Sequence, residues 1–258
     1  MILETESATK VFRARRGSGQ VAAVQDATMK VVPGEFVAIV GESGSGKSTL
    51  ARMLLGLTPV TTGSVRFDGV ALAEMDRAQL RAFRGHVQAV LQDPAGSLNP
   101  RKTVGTAIGE IVRLHGVARG RDAVHAKIVE ALELVGLAPA EDFLTRYPAQ
   151  LSGGQRQRVL IARAVVLDPQ IIVADEAVSA LDASVKAGVL RLMSDLTERL
   201  GVGYVFITHD LPVVKKVADR VYVMKSGEIV ESGPTEQIFR DPQHPYTQTL
   251  LASELVLT

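Results

Sequence analysis

The sequence predicts an α/β fold: a mixed sheet with an N-terminal antiparallel β-subdomain and an inserted α-helical subdomain. Three observations predict it. A glycine-rich loop at residues 41–49 lies between the apolar run Phe36-Val37-Ala38-Ile39-Val40 and the helix-forming run Leu50-Ala51-Arg52-Met53-Leu54-Leu55. The short apolar runs Ile171-Ile172-Val173-Ala174 and Tyr204-Val205-Phe206-Ile207 have the character of parallel strands buried on both faces. From Gln92 to about Leu167 no strand pattern occurs, and apolar residues recur at helical spacing instead.

Up to about Phe67 the chain reads as short strands, broken by the turn signals Pro33-Gly34 and Thr62-Gly63. A further strand is expected at His86-Val87-Gln88-Ala89-Val90-Leu91. In the helical stretch, Val124, Ile128, Leu132 and Val135 share one face, and Gly136 suits the stop. Val185, Val189, Leu192 and Leu196 mark an amphipathic helix between the two apolar runs. Residues 221–224 and 228–231 flank Ser226-Gly227, a hairpin turn, and a helical tail follows from His244-Pro245-Tyr246-Thr247. The division expected is an α/β core at 1–91 and 168–233, a helical subdomain at 92–167 and a tail at 234–258.

Composition excludes several classes. With 258 residues, 46% hydrophobic and 22% charged, the chain can bury a substantial core and is not disordered. A net charge of +1 gives no reason to expect nucleic acid as a partner, and the run Arg13, Arg15, Arg16 reads as a solvated loop. There is no cysteine, so disulfides and thiolate metal sites are excluded. No apolar stretch approaches the roughly 18 residues that span a bilayer, and residues 1–10 carry no signal-peptide core. A cytoplasmic protein is expected, with any membrane role exercised through a partner.

The loop Gly41-Glu42-Ser43-Gly44-Ser45-Gly46-Lys47-Ser48-Thr49 fits G-x-x-x-x-G-K-[ST] in its strand–loop–helix setting, the mark of a P-loop NTPase core. Glycines let successive backbone N–H groups turn inward on an anion, and the helix start adds partial positive charge. Lys47 is placed to reach the β- and γ-phosphates, and Ser48 to hold Mg²⁺. Asp175 ends an apolar strand at the sheet edge where ligands bind in open α/β sheets, and Glu176 adds a second carboxylate beside it. One acid for the metal shell and one to orient a water suits hydrolysis.

Leu151-Ser152-Gly153-Gly154-Gln155 begins another helix, with Ser152 and Gln155 spaced as a capping box. Two glycines in a first turn weaken a helix, which implies that something approaches the backbone closely. A second phosphate-binding helix start in one chain makes sense if each nucleotide is held between two subunits.

With these motifs in hand, the chain resembles an ATP-binding cassette ATPase subunit nearly end to end. Residues 41–49, Gln92, 151–155, Asp175-Glu176, Ser179-Ala180-Leu181-Asp182 and His209 stand in the family's order. The resemblance implies a head-to-tail pair, with ATP clamped by Lys47 of one subunit and by Ser152 and Gly154 of the other. By position, Ser48 and Gln92 would ligate Mg²⁺, with Asp175 acting through its shell. Glu176 would polarise the attacking water, His209 would contact the γ-phosphate, and Asp182 would couple the two sites. Phe12 matches the aromatic that stacks on adenine. Ala177 departs from the family, which usually has proline there.

Gln92-Asp93-Pro94, Ser97-Leu98-Asn99-Pro100 and His244-Pro245-Tyr246-Thr247 resemble the peptide/nickel importer ATPases of prokaryotes. Residues 175–179 and 187–190 lean toward the nickel type. This group implies two membrane-spanning permease subunits, a second cassette (identical or homologous), an external substrate-binding protein, and a seat on the cytoplasmic face of the inner membrane. Two alternatives are a soluble cassette acting on ribosomes or DNA and a hydrolysis-deficient regulatory subunit. The single cassette without sustained heptads speaks against the first; Lys47, Glu176 and His209 speak against the second.

Overall fold

In a computed structural model of the chain, residues 1–13, 19–91 and 97–255 are described. Gln92, Arg15 and Arg16 lie outside them. Two sheets form the body. An antiparallel sheet of order β2-β1-β4-β5 comprises β1 (Leu3–Arg13), β2 (Gln20–Val31), β4 (Thr62–Phe67) and β5 (Val70–Ala71). A six-stranded sheet of order β10-β9-β3-β8-β7-β6 comprises β3 (Phe36–Val40), β6 (Val87–Val90), β7 (Ile171–Asp175), β8 (Gly203–Ile207), β9 (Arg220–Lys225) and β10 (Glu228–Pro234). Its neighbours pair in parallel except β9 with β10, which form a hairpin. The hairpin turn Ser226-Gly227 has φ of 49° and 92°, the two positive values a type I′ turn requires.

The apolar runs are buried on both faces because alternate residues feed different cores. Val37 and Ile39 pack with Leu3, Val24 and Met29 of the antiparallel sheet and with Leu50, Met53 and Leu54 of α1 (Lys47–Leu54). Ala38 and Val40 face the opposite way, onto Val214, Val221, Tyr246 and Leu251. On that same side Tyr204 and Phe206 join a core shared with the helices between β6 and β7.

Among the described residues, the stretch between β6 and β7 has no strand. It holds α3 (Val104–His115), α4 (Arg121–Leu134), α5 (Glu141–Leu144), a 3₁₀ turn at Pro148–Gln150, and α6 (Gly153–Val165). Val124, Ile128, Leu132 and Val135 are all buried, and Gly136 follows α4 with φ of 72°. The amphipathic helix is α7 (Ala183–Leu200), which buries Val189, Leu192 and Leu196 and half-buries Val185. The tail contains α9 (Thr235–Arg240) and α10 (Pro245–Leu255), and a short α8 (Leu211–Val217) precedes β9. No helix among the described residues is long and apolar enough to cross a membrane.

Three readings of the sequence are corrected. The N-terminal strands are not all short: β1 has 11 residues and β2 has 12, because each continues along the other through register shifts that absorb the polar positions. Thr62-Gly63 is not a turn but the start of β4. There Gly63 has φ of 76°, and a Cβ would lie 2.2 Å from the Ser7 carbonyl oxygen, so β1 and β4 approach too closely for a side chain. The expected strand at 86–91 shrinks to Val87–Val90, because α2 (Arg77–His86), capped reciprocally by Asp76 and Gln79, runs up to His86.

Candidate active site

The loop between β3 and α1 owes its shape to glycines at crowded points. Gly41 has φ of 146°, and a Cβ there would sit 2.1 Å from the Met224 carbonyl oxygen. Gly46 caps α1 with φ of 103°, and its Cβ would sit 2.2 Å from the Ala23 carbonyl oxygen. Only a residue without a side chain closes the turn against these two carbonyls. The Lys47 ammonium lies inside the loop, donating to the carbonyls of Gly41 and Glu42 at 2.7 Å each. It is also 3.4 Å from Ser45 Oγ. Burial holds this ammonium below the usual lysine range, against the charges of Glu176, Asp175 and Glu42 that favour it. Ser48 is exposed and Thr49 half-buried on the first turn of α1.

Asp175 closes β7 beside this loop. Ser48 Oγ donates to Asp175 Oδ1 at 3.3 Å, so a hydroxyl from the helix start and a carboxylate from the strand end share one place. Burial pushes the Asp175 carboxyl up; the Ser48 hydrogen bond opposes this and the Glu176 charge adds to it. Hard oxygen donors of this kind suit Mg²⁺, which needs few protein ligands when phosphate and water complete its shell. Among the described residues no group of three His, Cys, Asp or Glu could hold a metal by itself.

Glu176 follows in the left-handed region, φ 48°, a strained conformation for a residue with a side chain. Its N–H donates to the Ile207 carbonyl at 2.9 Å, while its own carbonyl accepts from Ser179 N at 3.2 Å and Ser179 Oγ at 3.0 Å. These bonds hold the turn and direct the carboxylate toward the end of β8, where His209 Nδ1 lies 3.5 Å from Glu176 Oε1.

His209 is itself framed. Thr208 N–H donates to the Ile39 carbonyl at 3.3 Å, and Thr208 Oγ1 accepts from Asp210 N–H at 3.0 Å. Asp210 caps α8 through Val213 N–H at 3.2 Å and pairs with Lys186 of α7 at 2.7 Å. The sequence reading passed over Asp210 and Lys186, since a lysine on a helix gives no sign of its partner 24 positions away.

Lys47, Ser48, Asp175, Glu176 and His209 therefore meet at the C-terminal edge of β3, β7 and β8. The arrangement puts a cation at the floor of the loop and carboxylates at its wall. The remaining expected site residues stand elsewhere. Ser152 caps α6 by accepting from Gln155 N–H at 3.2 Å, and Gln155 Oε1 accepts from Ser152 N–H at 3.0 Å. Gly153 and Gly154 follow in the first turn, where a Cβ on Gly154 would lie 2.4 Å from Val185 Cγ1. Part of the reason for that glycine thus lies in its own chain. Among the described residues no hydrogen bond or ion pair links 152–155 to the phosphate loop. Asp182 precedes α7, exposed and without a capping bond from its side chain. Phe12 on β1 is 44% exposed with Lys10 Nζ 5.2 Å from its ring centroid, so it is not a core residue.

The family model described as ABC transporter matches residues 24–179. A model described as the oligopeptide/dipeptide transporter C-terminal region matches residues 230–258. A glutathione import ATP-binding protein of Shigella dysenteriae serotype 1 is 47% identical over 92% of this chain. The chain spans 38% of the length of that relative. Among solved structures, the dimeric post-hydrolysis state of the ATP-binding cassette MJ0796 bound to ADP and Pi aligns with a TM-score of 0.77 and 29% identity. That alignment covers 90% of this chain and 98% of the other. The cbiO1 protein of Clostridium perfringens, part of the ABC transporter complex cbiONQ, aligns with a TM-score of 0.79 and 26% identity, covering 93% and 90%. A phosphate loop on one sheet edge, a capped glycine-rich helix start apart from it, and a family match across both leave one assignment: the chain belongs to the ABC transporter family, the ATP-binding cassette ATPases.

Proposed function

We propose that the chain hydrolyses ATP, taken as its magnesium complex, as one of two cassettes that together drive a prokaryotic importer of the peptide class. The observation that carries this reading is the convergence of Lys47, Ser48, Asp175, Glu176 and His209 on one sheet edge. The loop amides and Lys47 bind the phosphates of the triphosphate. Ser48 and Gln92 would supply oxygens to Mg²⁺, and Asp175 would act through the shell of that ion. Glu176 would accept a hydrogen bond from the attacking water and take its proton as the new bond to the γ-phosphorus forms and the bond to the β–γ bridging oxygen breaks, ADP leaving with that electron pair. His209 faces the γ-phosphate and steadies Glu176.

Ser152, Gly153, Gly154 and Gln155 serve the partner cassette's nucleotide through the exposed start of α6, with Asp182 at the junction and Phe12 stacking on adenine. The pairing is supported by the separation of 152–155 from the loop they would complete, and by the dimeric cassette to which this chain is similar. The partner cassette is a second copy or a homologous chain.

Two permease subunits, an extracytoplasmic binding protein and a position on the cytoplasmic face of the inner membrane complete the proposal. A peptide cargo is supported by the C-terminal match at 230–258 and by likeness to a protein named for glutathione import. The lean toward nickel rests on residues 175–179 and 187–190 of the ATPase itself, which does not touch the cargo.

Lys47→Ala tests the reading. It removes a charge-assisted contact, so affinity for Mg·ATP should fall about tenfold or more in a nucleotide titration. Uptake of glutathione or dipeptides by cells carrying the variant should stop. Unchanged affinity contradicts the phosphate cradle, and undiminished uptake contradicts the peptide importer.

A further inference from the structure

The phosphate loop is braced from outside by two segments far away in sequence. Gly227 N–H, in the β9–β10 hairpin turn, donates to the Ser45 carbonyl at 2.9 Å. Tyr246, in the first turn of α10, accepts at its hydroxyl from Glu42 N–H at 3.0 Å. That N–H belongs to the same peptide group as the Gly41 carbonyl, which accepts from Lys47 Nζ at 2.7 Å. One peptide plane is thus gripped at both ends, by the tyrosine from outside the loop and by the lysine from within.

Tyr246 is set firmly enough to act as a fixed post. It is 7% exposed and packs with Val40, Val223 and Leu251, and Lys225 Nζ lies 4.9 Å from its ring centroid. Its own N–H donates to His244 Nδ1 at 3.1 Å. The preceding turn is tied down by Glu231 of β10, whose carboxylate accepts from Gln243 N–H at 2.8 Å and His244 N–H at 3.0 Å. A small pocket of about 120 Å³ beside the loop is lined by Tyr246 together with Glu42, Ser43, Gly44, Ser45, Lys225 and Ser226.

We propose that Tyr246 is a positioning residue for triphosphate binding: by accepting the Glu42 N–H it fixes the peptide plane whose carbonyl holds Lys47, so seating of the C-terminal helix sets the shape of the phosphate cradle. The inference rests on the reading that this loop binds a triphosphate. It adds that the tail is part of the binding machinery, with phosphate affinity tied to the placement of α10.

The test is Tyr246→Phe in the full chain, which keeps the ring and removes the acceptor. Affinity for a non-hydrolysable ATP analogue with Mg²⁺ should fall about fivefold, the effect of one lost hydrogen bond. The thermal midpoint without nucleotide should fall by no more than about 4 °C, the effect of one hydrogen bond in a chain of this size, and kcat at saturating ATP should stay within about twofold. Unchanged affinity overturns the proposal. So does a loss that comes with a midpoint lowered by well over about 4 °C, since it assigns the hydroxyl to the fold at large. If the unaltered chain fails to bind the analogue, the triphosphate reading itself falls; if it binds and the variant matches it, only the role of Tyr246 falls.

Discussion

His209 Nδ1 stands 3.5 Å from Glu176 Oε1, and the two residues come from the ends of adjacent parallel strands. The histidine side chain is 63% exposed while that of the glutamate is only 24% exposed, so the histidine stands on the more open side of the pair. A carboxylate that must hold one water against a phosphate gains orientation from such a neighbour.

His209→Ala should therefore lower kcat for ATP hydrolysis by about 100-fold, within the range of general acid–base groups, and leave nucleotide affinity within about threefold. Steady-state turnover beside a binding titration checks this. A loss of affinity with kcat unchanged would place His209 in ground-state binding instead.

Asp175→Asn should separate stability from function. Burial raises the folded carboxyl above its ordinary value, so the charged form costs the fold free energy at neutral pH. Asparagine keeps an acceptor for Ser48 without that charge. The midpoint of the nucleotide-free variant should rise at neutral pH, while turnover is lost. The sign fixes the pH dependence: the gain shrinks as pH falls through the raised value and vanishes below the ordinary aspartate range, where both proteins are neutral there. A lower midpoint at neutral pH would show that attraction to Arg52 and Lys47 outweighs burial.

Gly154→Ala reads the glycines of α6. In an unobstructed helix the change would stabilise by about 1 kcal/mol. Here the new Cβ meets the β-branched Val185 at 2.4 Å, so denaturant unfolding should show a loss of about 1–3 kcal/mol. Combining it with Val185→Ala should recover part of the loss, with a coupling of at least about 0.5 kcal/mol. Strict additivity would mean that the glycine answers to nothing within its own subunit.

The sheet core and the phosphate loop were legible because local chemistry dictates them. Buried parallel strands leave unbroken apolar runs, and Gly41 and Gly46 mark backbone turns that side chains cannot follow. Ser152 and Gln155 announce their cap through spacing alone. Where the reading failed, the cause lay across the fold. The α2 helix buries only Phe83 and so has no apolar stripe to reveal it. Gly63 looks like a turn residue until Ser7 is seen against it. The Tyr246–Glu42 bond spans 204 positions, and nothing around either residue names the other.

Glu176→Gln bears most directly on the central claim, that this chain hydrolyses the triphosphate it binds by means of a carboxylate held at the end of β7. The substitution keeps size and hydrogen-bonding capacity and removes the base. Affinity for Mg·ATP should remain within about threefold while turnover falls at least about 100-fold. Turnover at the level of the unaltered chain would contradict the account.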